Sequence, residues 1–227
     1  MTLLWLAAIA FVGTHFLLSH PLRAPLVRAT SEPAFNGIYS LVAAVTLIWM
    51  IVAYRSAPTD SPFWPVGDGI WALVSALMLI ASVLLAGSLV GNPAFPKPGG
   101  ASVAPGTARG VFAVTRHPMM WAFALWGVAH ILVYPITKTF IVTLAIIILS
   151  LVGAALQDRK KARLQPEVWS VWVRRTSYFP FAAILGGRAR LGGFGVVATV
   201  GGFVFWIAAT WAHIPLGGWP AGIWRWL

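Results

Sequence analysis

The chemistry open to this chain rests on five histidines, His15, His20, His117, His130 and His213, because its 227 residues include no cysteine. Without thiols there is no disulfide, no thiolate metal site and no catalytic cysteine. Metal chemistry would then fall to imidazole, methionine or carboxylate. His15 and His130 stand inside long apolar runs with no acid near them in sequence. An ionisable group so placed is costly in lipid and is usually functional. Two neutral imidazoles without acids suit ligation of a metal or haem iron better than a proton relay. The alternative is that each one hydrogen-bonds a carbonyl or hydroxyl of a neighbouring helix.

His117 is a different case. It belongs to Thr115-Arg116-His117-Pro118, where a loop enters an apolar run. Proline is welcome in the first turn of a helix, and the Arg116 guanidinium suits a lipid or ligand phosphate. Thirteen residues separate His117 from His130. On a straight helix that is about 20 Å and roughly 220° of rotation, so the two cannot share a site. Arg116 and His117 therefore form a second candidate ligand-binding pair, apart from His15 and His130. His20 and His213 lie near the ends of apolar runs and carry no assigned role. Phosphate loops, dinucleotide fingerprints, serine elbows and H-E-x-x-H zinc motifs are absent from the sequence.

The elements that must hold these residues are membrane helices. The chain is 59% hydrophobic and only 9% charged, with a mean hydropathy of +0.83, against roughly a quarter charged in soluble domains. Uncharged apolar runs occur at Leu3–Leu18, Ile38–Tyr54, Ile70–Val90, Met119–Pro135, Phe140–Leu156 and Gly192–Trp211. At about 20 residues per crossing, these predict an all-α polytopic bundle of about six transmembrane helices, with residues 1–227 as a single domain. The first run lacks the basic lead-in and small-residue cleavage site of a signal peptide, so it is read as a retained helix. If spans one and four pack together, His15 and His130 differ in depth by about 9 Å, an offset that a bis-imidazole haem could bridge.

Charge orients the bundle. Of the 16 Lys and Arg residues, 13 fall in the first, third and fifth loops, and only Arg55, Lys138 and Arg225 fall on the other side. The positive-inside rule makes the odd loops cytoplasmic and places both termini outside. The net charge of +11 is then a topology signal rather than a mark of nucleic-acid binding. In the fifth loop, Leu164, Val168, Val171, Trp172 and Arg175 recur at helical spacing, which predicts a basic amphipathic segment on the inner leaflet, restarted at Pro166. The Gly- and Pro-rich stretch Asn92–Gly106 reads as the longest loop.

In order along the chain stand Gly13-Thr14-His15, Pro21-Leu22-Arg23, Thr115-Arg116-His117-Pro118, Leu125-Trp126-Gly127-Val128-Ala129-His130, Asp158-Arg159-Lys160-Lys161 and Thr176-Ser177-Tyr178-Phe179-Pro180-Phe181. The whole resembles the NnrU family of bacterial inner-membrane proteins, and R-H-P followed by W-x-x-A-H is the most specific part of the likeness. The resemblance implies a bacterial inner-membrane location and an accessory link to nitrite and nitric oxide reduction. It also implies kinship with plastid zeta-carotene isomerases, which bind haem b. By position, His15 and His130 match the iron ligands of that relative, so haem b on these two residues, an isomerase-like activity and a hydrophobic small-molecule substrate are the expectations. Where the isomerase has a cysteine between Trp and Ala-His, this chain has Gly127, which leaves no thiol for a ligand switch.

R-H-P is also similar to membrane S-adenosylmethionine-dependent methyltransferases of the isoprenylcysteine type, but their paired downstream acids are reduced here to Asp158 and Glu167. A non-catalytic assembly or transport factor is the third reading. Neither substrate nor oligomeric state follows from the sequence.

Overall fold

The computed structural model describes residues 1–94 and 107–227, so most of the expected Asn92–Gly106 loop, with Lys97, lies outside the described residues. The rest is helical, and the bundle expected from the apolar runs is present. Five helices are long and apolar enough to cross a membrane: α1 (Thr2–Ser19), α3 (Glu32–Ser56), α4 (Asp68–Ser88), α7 (Thr137–Leu164) and the last, Val197–Gly217. The sixth apolar helix is α6 (Pro118–Val133), with 16 residues. Short helices fill the connections: α2 (Arg23–Ala29), α5 (Val111–Val114), α8 (Pro166–Arg175) and α9 (Ala182–Leu185).

Local chemistry sets most ends. Ser31 accepts a hydrogen bond from the Ala34 N–H (3.3 Å) and a proline follows it, which starts α3. Pro118 opens α6 and Pro166 opens α8, the latter as the sequence predicts. At 16 residues α6 is about 24 Å long, less than the roughly 30 Å of a hydrocarbon core. It packs against both α4 and α7, and non-helical backbone at membrane depth is tolerated where protein surrounds it. Conversely, α7 at 28 residues is about 42 Å long. Its last turns therefore carry Asp158 to Arg163 as helix where the sequence suggested loop.

The final span differs from its expected Gly192–Trp211 range. Gly192, Gly193 and Gly195 (φ +84°) do not sustain a helix. A π-turn at Val197–Gly201 leads instead into α10 (Gly202–Gly217), which stops at Gly218 in the left-handed conformation (φ +74°). Gly202 is where α10 crosses α4, because a Cβ there would lie 2.6 Å from the Val83 Cα. Small residues at such crossings let membrane helices approach backbone to backbone.

Following contacts, the long helices run α3, α1, α7, α6, α4, α10. Two apolar clusters hold this row together. One joins α1, α3 and α7 through Leu4, Ala7, Phe11, Met50 and Ile141. The other joins α4, α5, α6 and α8 through Leu84, Phe112, Ala122, Trp169 and Trp172. The amphipathic segment is thus more than a leaflet anchor, since Trp169 and Trp172 are buried (1% and 3% exposed) against protein.

Candidate functional site

Two neighbouring features at the basic end of the bundle hold most of the sequence-predicted residues. The first is a cavity of about 450 Å³ where α1 and α6, both packed against α7, diverge from each other. Phe11, His15 and Phe16 of α1, Met120 and Phe123 of α6, and Ile146 and Leu149 of α7 line its apolar part. Leu47 and Tyr39 of α3 close one side. Ser19, His20, Gln157 and Lys160 line its other end.

His15 is the imidazole inside the apolar part. Its Nδ1 lies 2.6 Å from the Phe11 carbonyl oxygen. That oxygen only accepts, so Nδ1 carries a proton, and in the neutral imidazole Nε2 keeps the free lone pair. The Phe11 and Tyr39 rings meet the imidazole edge-on, at 4.5 and 5.5 Å between centroids. A fixed ring with its second nitrogen held by a carbonyl is the arrangement that metal-ligating histidines use.

His130 is prepared in the same way, with Nδ1 donating to the Trp126 carbonyl at 2.8 Å. It is nonetheless not among the residues that line the His15 cavity. It stands against His213, 6.2 Å between ring centroids and 30° between planes. The structure therefore brings His130 together with His213, and His15 together with His20, rather than His15 with His130. Among the described residues no group of three or more His, Cys, Asp or Glu side chains is placed to hold a metal ion.

The second feature is a buried ion cluster. Arg116 Nε donates to Asp158 Oδ2 at 2.7 Å, and His117 Nε2 donates to Asp158 Oδ1 at 2.8 Å. His117 is 3% exposed, and the Arg116 and Asp158 side chains are 12% and 16% exposed. The backbone that presents them is zipped to the Thr176–Phe181 segment. Arg116 N–H donates to Ser177 O (2.8 Å), Phe181 N–H to Val114 O (2.8 Å) and Thr115 Oγ1 to Tyr178 O (2.7 Å). Tyr178 in turn donates its hydroxyl to Leu151 O (2.6 Å) on α7 and sets its ring 5.8 Å from His117. Burial, with the Asp158 carboxylate beside it, pushes the Tyr178 phenol above its usual range, so it stays a donor at neutral pH. Three of the sequence motifs thus converge on one carboxylate.

Beside this cluster is a cleft of about 20 Å³ lined by Arg116, His117, Met119, Met120, Gln157, Asn92 and Ala94. That is room for about one water. Arg116, through Nε, and His117, through Nε2, both bind Asp158.

Gly127 has a packing reason. A Cβ there would meet Ile147 Cγ1 at 2.7 Å and the Thr143 carbonyl oxygen at 3.2 Å, so α6 and α7 touch where the isomerases of the resemblance carry a thiol. Sequence reasoning assigned no role to His20 or His213 and did not connect Asp158 to Arg116. The signal for Asp158 is that it is one of only two acids, with Glu167, in a strongly basic segment downstream of an R-H pair.

A family model described as NnrU protein matches residues 3–221, a range that includes both features and all five histidines. The chain belongs to the NnrU family. Within 82 residues it is 35% identical to the chloroplastic 15-cis-zeta-carotene isomerase of Zea mays and 38% identical to that of Arabidopsis thaliana. Each match takes in 36% of this NnrU-family chain and 22% of the plant protein, so it spans about a fifth of the length of those relatives. No solved structure matches.

Proposed function

We propose that this NnrU-family protein is an isomerase-like membrane protein that binds haem b in the cavity between α1, α3, α6 and α7, with His15 as an iron ligand, and acts there on a hydrophobic small molecule. The observation that carries this reading is the bare Nε2 of His15 in an apolar cavity of about 450 Å³. Haem needs a neutral imidazole, an apolar pocket for the macrocycle and polar groups for its propionates. His15, the Phe11 and Phe123 side chains, and Lys160 with His20 meet those three needs in turn. Bound there, haem would supply one-electron redox chemistry. The chain's own part is to hold the His15 tautomer through Phe11 O, exclude water with aromatic side chains, and anchor the basic end through Asp158.

His130, the second ligand that the family resemblance implies, fits by tautomer and not by position, since it faces His213. An isomerase-like role is preferred to an accessory role in nitrogen-oxide respiration because the 82-residue similarity is to isomerases. A location in the bacterial inner membrane with both termini periplasmic completes the proposal. A reporter fused after Arg163 should then read cytoplasmic, and a periplasmic signal there would reverse the orientation.

Gly153 offers a direct test of the cavity. On α7 it lines the space, and a Cβ there would meet only Phe16 Cε1, at 3.9 Å. Gly153→Phe should therefore fill the cavity while leaving helix contacts in place. In a titration of purified protein with haemin followed at the Soret band, wild type should saturate and Gly153→Phe should bind at least about tenfold more weakly. Equal titrations would place haem elsewhere or nowhere.

A further inference from the structure

The cavity is not uniform along its length. On α7 its lining residues are Ile146, Leu149, Ser150, Gly153, Gln157 and Lys160, one face of the helix. From Ile146 to Lys160 is about 21 Å. α1 changes character in the same direction, from Phe11 through Phe16 to Ser19 and then His20. The space is therefore an apolar slot with a polar mouth at the basic end.

The charge at that mouth is unbalanced. Arg23, nearby, is already paired with Glu32, whereas Lys160 takes part in none of the four ion pairs among the described residues. It is half-buried and lines the cavity. Burial, followed by the positive charges of Lys160 and Arg163, holds the His20 imidazole below its usual 6.5, so the mouth has a net positive field. The Glu32 carboxylate reaches this ammonium only beyond ion-pair distance, so it is partly desolvated without a direct partner, which is costly, and an anion seated beside it relieves that cost.

Resting on the reading of the cavity as a ligand site, we propose that its occupant is an amphiphilic acid, an apolar body about 20 Å long ending in a carboxylate or phosphate that Lys160 holds at the mouth. His20, adjacent, donates a hydrogen bond from its ring N–H to the same acid group. The shared chemistry has two sources, the propionates of haem and the head of a free lipid acid such as a fatty or isoprenoid acid.

The test uses a fluorescent polyene acid, cis-parinaric acid, and its methyl ester, titrated into the purified full-length protein. Wild type should bind the acid about tenfold more tightly than the ester. Lys160→Gln should erase that preference, Lys160→Arg should keep it, and Gly153→Phe should weaken both probes. Competition then separates the sources. If haemin displaces the probe in wild type but not in His15→Ala, the acid is a haem propionate. Displacement by palmitic acid that is equal in wild type and His15→Ala identifies a lipid acid. Acid and ester binding equally, yet both blocked by Gly153→Phe, would overturn this proposal and leave the cavity reading intact. Binding of neither probe, with haemin also failing, would overturn both.

Discussion

Replacing Asp158 by asparagine should lower the thermal midpoint of the detergent-solubilised protein by on the order of 10 °C. Asparagine preserves the shape of the side chain and removes only its charge. What remains is the Arg116 guanidinium, mostly buried beside His117, with no acid to answer it. Breaking one side of a buried pair in this way costs about 3–5 kcal/mol, far more than an exposed ion pair contributes. The loss should spread, because the same cluster fixes the Thr115–His117 segment against Ser177 and Tyr178, and Tyr178 to α7.

The mechanism is separable from simple misfolding. In the double variant Asp158→Asn with Arg116→Gln, the orphaned charge is gone, and the midpoint should recover part of the loss, giving a coupling of about 1–3 kcal/mol. A midpoint within about 1 °C of wild type for Asp158→Asn, or a double variant as unstable as the sum of the singles, would show that the cluster does not hold the basic end together.

The helices were legible because a membrane span declares itself within 20 consecutive residues, and the same holds for Pro166 restarting α8. Their ends were less so. The last span starts five residues late because glycine carries hydropathy without helix propensity, and α7 runs past its apolar stretch into Asp158 because helix continues where hydrophobicity stops. The ion cluster was hidden for a different reason. Arg116 and Asp158 are 42 residues apart in sequence, and no local period connects them. The packing that joins them, α6 against α7 with Gly127 at the contact, is a tertiary fact. His15, which the sequence places inside an apolar run, lines the cavity on α1, and its neighbour there, His20, reads in sequence as an ordinary interfacial residue. His130 and His213 met for the same reason, each on a different helix and each uninformative alone.

Changing His15 to alanine should have the second large effect, and on function rather than on folding. His15 lines the cavity, its hydrogen bond stays within its own helix through Phe11 O, and its ring touches α3 only at the Tyr39 edge, so most helix contacts of α1 survive its loss. On the proposed reading the substitution removes an iron ligand. Haem affinity should then fall by at least about tenfold, since even the outer-shell supports of a ligating imidazole are worth 10–100-fold. His117→Ala should leave haem binding unchanged, since its nitrogen is given to Asp158. His130→Ala decides whether the second axial position is His130, as the family resemblance implies, or another group.

The reduced-minus-oxidised absorbance spectrum of protein purified from haem-sufficient cells tests the central claim most directly. Wild type should show a haem b Soret and α-band pair that His15→Ala lacks while keeping a wild-type thermal midpoint. A wild-type protein with no Soret band, or a His15→Ala spectrum indistinguishable from it, would contradict the account.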